Sequence, residues 1–353
     1  MSVDDMSTPL LAQAELDPPT TPAAARGGYG DLARRVRAAG LMRRRPRAFA
    51  ANASVVLAAL GVVVALMVTY RDTWWLLALA PVLAVLATRT SFLGHDIGHL
   101  QVTRSSTGSR LLGLAFGNLL SGLSYGWWVR KHNAHHAHPN DLETDPDVRA
   151  GALVWDPSQA ESRRGAAAWW TRHQAELFFP LLLLEAVNLH LSSVRALIAP
   201  DLRLRSSEAL LLATHFACYG LLLAFTLSWP QALVFVAVQK GLQGLYLGCS
   251  FAPNHKGMPV LGPEQAQDPL LRQVLTSRNV RGGPVTDAVL GGLNYQIEHH
   301  LFPSMPRANL RRAQPLVREF CAEHRIPYLE CGAFASYAAA IKHMHAVAGV
   351  LRD

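Results

Sequence analysis

The sequence predicts an all-α integral membrane protein in which four transmembrane helices form two hairpins. Three observations lead to this fold class. Hydrophobic residues make up 50% of the 353-residue chain. Only 16% of the residues are charged, against about 25% in ordinary soluble domains. The apolar residues are concentrated in long segments with few charges, which excludes a typical soluble enzyme and a disordered chain.

The first two apolar segments predict a helical hairpin. Ala50–Thr69 has no charged residue and is long enough for a bilayer core, which takes about 20 apolar residues. The break at 71–73 is short, and the next apolar segment extends from Trp74 to Gly94. A loop this short places the other two ends of the hairpin on one side of the membrane, which we take to be the cytoplasmic side.

A second hairpin is predicted downstream. Residues 209–239 contain no Asp, Glu, Lys or Arg, and Ser228–Pro230 interrupts them. Because the stretch is too long for one crossing, it predicts two helices over about 208–228 and 230–250.

The basic residues are concentrated before the first apolar segment. The chain has a formal net charge of +8. The arginines of this stretch are Arg34, Arg35, Arg37, Arg43, Arg44, Arg45 and Arg47. A nucleic-acid patch is one interpretation, but the positive-inside rule expects the same arrangement beside a first spanning helix. We therefore predict a multi-pass protein of the cell inner membrane, with both termini cytoplasmic and no nucleic-acid partner.

The composition divides the chain into three parts. Residues 1–47 are predicted to be a disordered basic tail, because they are polar and lack the apolar core of a signal peptide. Residues 48–330 are predicted to be a membrane domain with a cytoplasmic helical cap, and residues 331–353 a C-terminal cytoplasmic helix. The four cysteines have no CxxC spacing, so neither a disulfide framework nor a thiolate zinc site is indicated.

Eight of the fifteen histidines lie in four short segments, each near the predicted inner end of a spanning helix. The segments are His95-Asp96-Ile97-Gly98-His99, His132-Asn133-Ala134-His135-His136, Asn254-His255 and Gln296-Ile297-Glu298-His299-His300. Burying several neutral imidazoles without partners is costly, and a metal removes that cost because neutral imidazole is a ligand. Imidazole suits Zn, Cu, Fe or Ni. Eight histidines are too many for one ion, so the sequence predicts a two-metal centre in the helical cap.

A further apolar stretch, 176–198, is not predicted to cross the membrane. It contains four residues that are expensive at the bilayer midplane: Glu185, Asn188, His190 and Arg195. A fifth crossing would also put the histidine segments on opposite sides. We therefore predict a helix that lies in the cytoplasmic interface or lines an internal cavity.

HDIGH, HNAHH and QIEHH, in this order and flanked by two apolar hairpins, resemble the three histidine boxes of the membrane fatty-acid desaturase family. The similarity is closest to the front-end, linoleoyl-CoA-desaturase-like branch, and the segments Phe251–Met258 and Asn294–Pro303 add to it. It extends over about residues 50–330. A single HxxHH motif is weak evidence, whereas three boxes with this topology are specific.

The resemblance implies a di-iron centre that uses O2 to remove two hydrogens from an unactivated acyl chain. The implied ligands are His95, His99, His132, His135, His136, His299 and His300, with His255 as a further ligand after the last span. Gln296 replaces the histidine of the wider family, although the front-end branch also has Gln there. It binds the metal directly, through water, or only supports the ligands.

Several other polar residues near the boxes are candidate supports of the metal ligands. Asp96, Asn254 and Glu298 are predicted hydrogen-bond partners of the ligands. Three acidic residues after the second box are more consistent with a solvated loop: Glu143, Asp145 and Asp147. Glu185, Asn188 and Lys240 are assigned to a substrate tunnel. Lys240 lies deep in the fourth span. Its ammonium either pairs with Glu185 or snorkels to the membrane interface, and the sequence does not distinguish these alternatives.

The resemblance implies a fatty acyl desaturase that introduces a cis double bond into an acyl-CoA or an acyl lipid. Hydroxylation of a lipid or carotenoid on the same scaffold is the alternative, because it differs in substrate placement and not in the boxes. A non-catalytic metal transporter is less favoured, since transport predicts ionisable residues spread through the midplane of several spans.

Desaturation also needs two electrons from an external donor. The sequence has no His-Pro-Gly-Gly haem motif, no GxGxxG after a predicted strand and no cysteine set with iron–sulfur spacing. A ferredoxin with its NAD(P)H-dependent reductase is therefore the expected donor. Such donors are commonly acidic, and basic residues of the cytoplasmic face would attract one: Arg130, Lys131, Arg307, Arg311 and Arg312. The same charges also satisfy the positive-inside rule.

Overall fold

A computed structural model describes residues 28–261 and 266–352 of the chain, which are mostly helical. In chain order the α-helices are α1 Gly28–Ala38, α2 Pro46–Thr69, α3 Leu79–Gly98, α4 Ser106–Gly113, α5 Tyr125–Ala137, α6 Pro157–Glu161, α7 Gly165–Arg172, α8 Gln174–Leu182, α9 Glu185–Ala196, α10 Arg205–Thr226, α11 Trp229–His255, α12 Pro269–Leu275, α13 Pro284–Val289, α14 Gln296–Leu301, α15 Arg307–Glu323 and α16 Ala333–Gly349. A 3-10 helix, Trp74–Ala78, precedes α3, and a π-helix, Leu114–Leu120, follows α4.

Four helical segments are long and apolar enough to cross a membrane, as predicted. They are Pro46–Thr69, Trp74–Gly98, Arg205–Thr226 and Trp229–His255. Large apolar side chains such as Val62 and Leu221 point outward from them and are more than half exposed. An apolar outer surface on a long helix is typical of a lipid-facing span.

The four candidate spans meet at the ends far from the histidine segments. One buried apolar cluster there includes Met67, Leu76, Leu223 and Phe235, so every span contributes to it. The turn after α2 is also tied to the end of α10, because the backbone N–H of Asp72 donates to the carbonyl of Thr226 at 2.9 Å. The spans are therefore held together at this end by packing and by a hydrogen bond between turns.

The further apolar stretch folds as two short helices. Helices α8 and α9 are bent by 73° at their break, and the pair would be a fifth candidate span if counted as one. Pro180 lies inside α8, where it removes one backbone donor. The sequence predicted one helix here, and the structure instead has a sharp bend whose second arm, α9, packs against α11.

The N-terminal segment differs from its predicted disorder over residues 28–38. These residues form α1, whose Leu32 and Val36 are buried against Val317 and Phe320 of α15. Arg35 also pairs with Glu323, with 2.8 Å between Nη1 and Oε2. Apolar residues four apart among the arginines give α1 one buried face, and the high charge of the segment concealed this pattern. Residues 1–27 of the predicted tail lie outside the described residues.

The C-terminal part packs onto the helices that carry the histidines. Strands β1 Asn279–Val280 and β2 Glu330–Cys331 pair in parallel, which brings the chain after α15 back beside α14. Helix α16 occupies the segment predicted to be a C-terminal helix, and its Met344 is buried with Phe178 of α8. The last helix is therefore part of the support around the end of α11.

Candidate metal centre

The structure brings all four histidine segments together. His95 and His99 lie at the end of α3, and the HNAHH segment occupies the second half of α5. His255 is the last residue of α11, and His299 and His300 lie on α14. Three of these segments lie at the C-terminal ends of their helices, α3, α5 and α11. The histidines therefore come directly after the part of each helix that packs in the bundle.

The imidazoles form two separate groups. The four-histidine cluster consists of His95, His99, His132 and His299, and the three-histidine cluster of His135, His255 and His300. Within each cluster, one ring nitrogen of every histidine lies within 4.8 Å of those of the others. This spacing suits one metal ion in each cluster, because ions are bound by imidazole nitrogens at about 2.0–2.1 Å.

His136 lies between the two clusters. Its Nε2 is 3.2 Å from Nε2 of His132 in the four-histidine cluster. Its ring is also stacked on His300 of the three-histidine cluster, with 4.2 Å between the ring centroids. The structure thus brings His136 to the centre, as predicted, in a position that touches both clusters.

Gln296 lies beside the three-histidine cluster. Its side-chain nitrogen is 2.9 Å from Nε2 of His255, and its side-chain oxygen accepts a hydrogen bond from Asn254 Nδ2 at 3.2 Å. Rotating the amide by half a turn exchanges these two atoms. The oxygen would then face the same point as the His255 nitrogen, which is the placement that a ligand requires. Asn254 holds the Gln296 amide in the orientation described, and the rotation would lose this hydrogen bond, because Gln296 Nε2 would then face the Asn254 Nδ2 donor.

The three-histidine cluster is oriented by hydrogen bonds on its outer side. Nδ1 of His135 is 2.9 Å from Asp145 Oδ2, and Nδ1 of His255 is 3.0 Å from the Thr276 carbonyl. Nδ1 of His300 is 3.0 Å from Gln273 Oε1. Each acceptor holds a proton on Nδ1, so the unprotonated Nε2 is the atom that faces inward. Metal-binding histidines are commonly oriented in this way.

The inward-facing nitrogens fit a metal. Nε2 of His95, His99 and His300, and both ring nitrogens of His299, are buried without a hydrogen-bond partner among the described residues. An unpaired buried polar atom costs about 1–3 kcal/mol, and a metal ion at each cluster would satisfy these atoms together. Burial, and then the neighbouring imidazoles, hold the pKa of His299 and of His300 well below its usual range. The rings are therefore neutral, as ligation requires.

Asp145 is not part of a solvated loop. Its side chain is fully buried and accepts hydrogen bonds from His135 and from the backbone N–H of Asn140. Asp147 is 3.7 Å from His135 and pairs with Lys131, while Glu143 is exposed. The loop after α5 folds back onto its own helix, and no periodicity in the sequence indicates such a reversal.

The two acidic residues within the boxes have different surroundings. Asp96 pairs with Arg307 at 2.9 Å and is 3.8 Å from Nδ1 of His95, beyond hydrogen-bond distance. Glu298 accepts hydrogen bonds from Asn279 and Tyr328, and burial raises its pKa to about 7. Both carboxyl groups support the elements that carry the ligands, and neither accepts a hydrogen bond from a ligand imidazole.

Trp128 flanks the four-histidine cluster, a contact that the sequence analysis missed. Its indole is stacked on His132 with 4.5 Å between centroids and lies edge-on to His95 at 5.6 Å. The approach requires glycine at position 98, since a Cβ there would be 2.5 Å from Cζ3 of Trp128. The HDIGH glycine is therefore a packing residue that lets α3 and α5 meet.

A small, mostly apolar cavity of about 60 Å³ reaches His95. Its other lining residues are Ser91, Gly94, Gly117, Ser121, Leu123, Tyr125, Trp128, Leu189, Leu247 and Phe251. Helix α9 therefore contributes Leu189 to the cavity wall. The polar residues assigned to a tunnel, Glu185, Asn188 and Lys240, are not among the lining residues.

These three polar residues make other contacts. Glu185 accepts a hydrogen bond from Asn188 at 3.1 Å. Lys240 Nζ is 3.0 Å from His190 Nε2 and 3.4 Å from Gln243 Oε1, and it lies 5.0 Å from the centroid of the Tyr219 ring. Lys240 is thus partnered inside the bundle by His190 and not by Glu185.

The fold and the two clusters define a helical membrane protein with a histidine-rich centre that could hold metal. The family model described as fatty acid desaturase matches residues 72–332. This match covers most of the chain, and the protein belongs to the fatty acid desaturase family.

Three relatives show the range of similar proteins. The Delta(8)-fatty-acid desaturase of Helianthus annuus is 28% identical over 312 residues, which are 81% of this chain and 66% of the relative. The acyl-lipid (9-3)-desaturase of Borago officinalis is 31% identical over 68% of this chain and 56% of the relative. The Delta(6)-fatty-acid desaturase fat-3 of Caenorhabditis elegans is 30% identical over 75% of this chain and 63% of the relative. The chain thus spans less than two thirds of the length of these relatives.

Proposed function

We propose that the protein is an O2-dependent desaturase that introduces a cis double bond into the acyl chain of an acyl lipid or acyl-CoA. The observation that carries this proposal is the convergence of eight histidines, seven in two clusters and His136 between them, with an apolar cavity that ends on His95. The relatives named above support the acyl substrate, since their names specify fatty-acid or acyl-lipid desaturation.

The donor set suggests how two iron ions would be held. The four-histidine cluster offers the ligands of one ion, and the three-histidine cluster with Gln296 offers those of the other. His136 contacts both clusters and is available to either. Bound iron would activate O2, the oxidant for C–H cleavage at an alkyl carbon, which amino-acid side chains cannot do.

The residues of the chain place the substrate and exclude water. Leu123, Leu247 and Phe251 give the cavity an apolar wall that accepts an acyl chain. Asp145, Gln273 and the Thr276 carbonyl orient the imidazoles before any ligand binds. The site is therefore preorganised for a reaction at a carbon that contacts the His95 side of the centre.

Hydroxylation of a lipid or carotenoid uses the same kind of centre and is the second candidate. The relatives disfavour it, because they are named as desaturases. Products distinguish the two reactions directly: a desaturase lowers the mass of the chain by two hydrogens, and a hydroxylase adds one oxygen.

Lipid analysis tests the proposed reaction. Cells that express the wild-type protein should accumulate acyl chains with one more double bond than control cells. The His135→Ala variant should give the control profile, while His138→Ala, which alters an exposed histidine two residues after the same segment, should match the wild type. Unchanged acyl chains in wild-type cells with iron-loaded protein, or hydroxylated chains, would contradict the proposal.

We propose that the spans form two hairpins whose tips, near Arg71 and Trp229, lie outside the cell inner membrane. The histidine segments, both termini and the segment 301–353 would then form the cytoplasmic cap. In intact cells, cysteines introduced at Asn133 or Ser304 should resist labelling by a reagent that does not cross membranes. Efficient labelling at either position would show that the histidine segments lie on the other side.

We propose a ferredoxin with its NAD(P)H-dependent reductase as the source of the two electrons. The 353 residues contain no recognisable haem, flavin or iron–sulfur motif. Purified protein with NADPH alone should be inactive, and adding ferredoxin and reductase should start turnover that weakens as salt is raised. Full turnover with NADPH and no added protein would contradict this assignment.

A further inference from the structure

A cavity of about 360 Å³ lies on the opposite side of α3 from the apolar cavity at His95. It is bounded by the start of α2, the last turns of α3 and the segment 287–311. Four arginines from these segments line it: Arg45, Arg89, Arg307 and Arg311. Its volume is within the range of small-molecule sites, about 300–1,000 Å³.

The arginines outnumber the acidic residues of the same cavity. Its two carboxylates are Asp96, which is 2.9 Å from Arg307, and Asp287, which is 3.6 Å from Arg311. Arg89 donates to the backbone carbonyl of Ala288. Among residues 28–261 and 266–352, Arg45 has no carboxylate within 4.0 Å. The cavity therefore has an excess of two positive charges, which favours an anionic ligand.

Helix geometry separates this cavity from the one at the metal centre. Arg89 and Asp96 of α3 line the arginine cavity, while Ser91, Gly94 and His95 line the apolar cavity. With 3.6 residues per turn, positions 89 and 96 share one face of the helix and positions 91, 94 and 95 share the opposite face. A ligand in the arginine cavity is therefore distinct from an acyl chain that reaches His95.

One wall of the arginine cavity is built to hold Arg307 in place. Its guanidinium donates to the Gly291 carbonyl at 3.1 Å, and its backbone N–H donates to Gln101. A Cβ on Gly292 would be 2.7 Å from Cγ of Arg307, and the φ of this glycine is +77°. The close approach needs glycine, so Arg307 faces the cavity in a fixed position.

The position of the cavity in the fold indicates the source of the anion. Ala48, Phe49 and Asn52, from the first two turns of the span Pro46–Thr69, form part of its wall, and Arg89 belongs to the span Trp74–Gly98. A ligand here has guanidinium groups on one side and the beginning of two apolar spans on the other. Basic pockets between spans at the cytoplasmic side are typical sites of anionic lipid headgroups.

We propose that this cavity binds the phosphate group of an anionic phospholipid. Guanidinium groups suit phosphate because they donate paired hydrogen bonds in a fixed plane. The positive-inside rule explains arginines near the inner ends of spans, but it does not require four of them, from three segments, to face one cavity. The lipid at this site is a structural or regulatory ligand and not the acyl substrate.

Native mass spectrometry of the detergent-solubilised full chain tests the proposal. The protein is titrated with phosphatidylglycerol and with phosphatidylcholine of the same chain length. Wild-type protein should retain the anionic lipid in preference. Arg45→Gln and Arg311→Gln should each weaken phosphatidylglycerol binding about fivefold, the effect of about 1 kcal/mol per arginine at a membrane surface. In a parallel titration, inorganic phosphate at an equal concentration should leave the bound lipid in place. Displacement of the lipid would overturn the proposal, because it would assign the cavity to free phosphate.

Arg47→Gln and Arg312→Gln are the matched controls. They remove the same charge from neighbouring positions that do not line the cavity, and phosphatidylglycerol binding should remain at the wild-type value. Equal retention of the two lipids by the wild type, or equal losses in the test and control variants, would overturn the proposal. A weaker affinity for the electron donor in Arg45→Gln and Arg311→Gln, with lipid binding unchanged, would assign these arginines to a protein partner.

Discussion

The three-histidine and four-histidine clusters are held in place by different means. Each member of the three-histidine cluster donates its Nδ1 proton to an acceptor: Asp145, Thr276 or Gln273. In the four-histidine cluster, Asp96 is too far from His95 for a hydrogen bond, and His299 has no partner for either nitrogen among the described residues. That cluster instead packs ring against ring and against Trp128.

The difference shows two routes to a preorganised set of ligands. Hydrogen bonds fix the tautomer and the ring plane of the three-histidine cluster. Close packing fixes the ring positions in the four-histidine cluster. Its buried nitrogens without hydrogen-bond partners would be stabilised by a bound ion, which removes the cost of leaving them unpaired. Loss of a hydrogen-bonding side chain should therefore weaken metal binding most at the three-histidine cluster. A change in packing volume should have its main effect at the four-histidine cluster.

Loss of a ligand should give the largest effect and should be equally severe in the two clusters. His300→Ala and His299→Ala each remove an inward-facing nitrogen, so desaturation should fall below detection and iron should decrease from about two ions per chain toward one. Iron analysis of purified protein and lipid analysis of cells measure both outcomes. His138→Ala is the control, and a variant that kept two ions and full activity would remove that histidine from the centre.

Asp145→Asn should be the most damaging change outside the ligands. It replaces the buried carboxylate that orients His135, and such partners contribute about 10–100-fold to metal affinity. Asp96→Asn should weaken iron binding less, because Asp96 pairs with Arg307 and makes no hydrogen bond to His95.

Iron retention against a chelator measures the two effects, with the exposed Glu143→Gln as the control from the same loop. A larger loss in Asp96→Asn than in Asp145→Asn would contradict the distinction between the two clusters.

Gly98→Ala should disturb the four-histidine cluster through packing. The added methyl would be 2.5 Å from Cζ3 of Trp128, and overpacking of this kind costs about 1–3 kcal/mol. The thermal unfolding midpoint in detergent should fall. Gly94→Ala is a matched control, because nothing lies within 4 Å of its added Cβ, and its midpoint should be unchanged or slightly higher. Equal midpoints in both variants would mean that α3 and α5 do not approach as described.

Arg278→Lys should have the smallest effect of these variants, a modest weakening of iron binding at the three-histidine cluster. The buried Arg278 donates to the Pro253 carbonyl from Nε and to the Lys256 carbonyl from Nη2, on either side of His255. A lysine cannot span both acceptors, and losing one such hydrogen bond costs about 1 kcal/mol. Iron should dissociate faster, whereas Arg281→Lys, at an exposed position, should behave like the wild type. Identical iron dissociation in the two variants would exclude this role of Arg278.

Much of the architecture was determined by local patterns in the sequence. The four candidate spans were predicted because an apolar run of about 20 residues suits a membrane whatever surrounds it. The convergence of the eight histidines was predicted because several buried imidazoles need a shared partner, and a metal ion supplies one. Helix α1 is an exception to local prediction, since its small apolar face became apparent only where α15 covers it.

Contacts between distant segments were decided by the tertiary structure alone. The sequence did not indicate which histidines share a cluster, because His132 and His135 belong to one helix and yet join different clusters. It also favoured a solvated Asp145, which the reversal of one loop buries against His135, and it gave no sign that arginines from three separate segments share a cavity. The physical reason is that burial and partner choice depend on which helices pack together, whereas span length and residue spacing are properties of the chain itself.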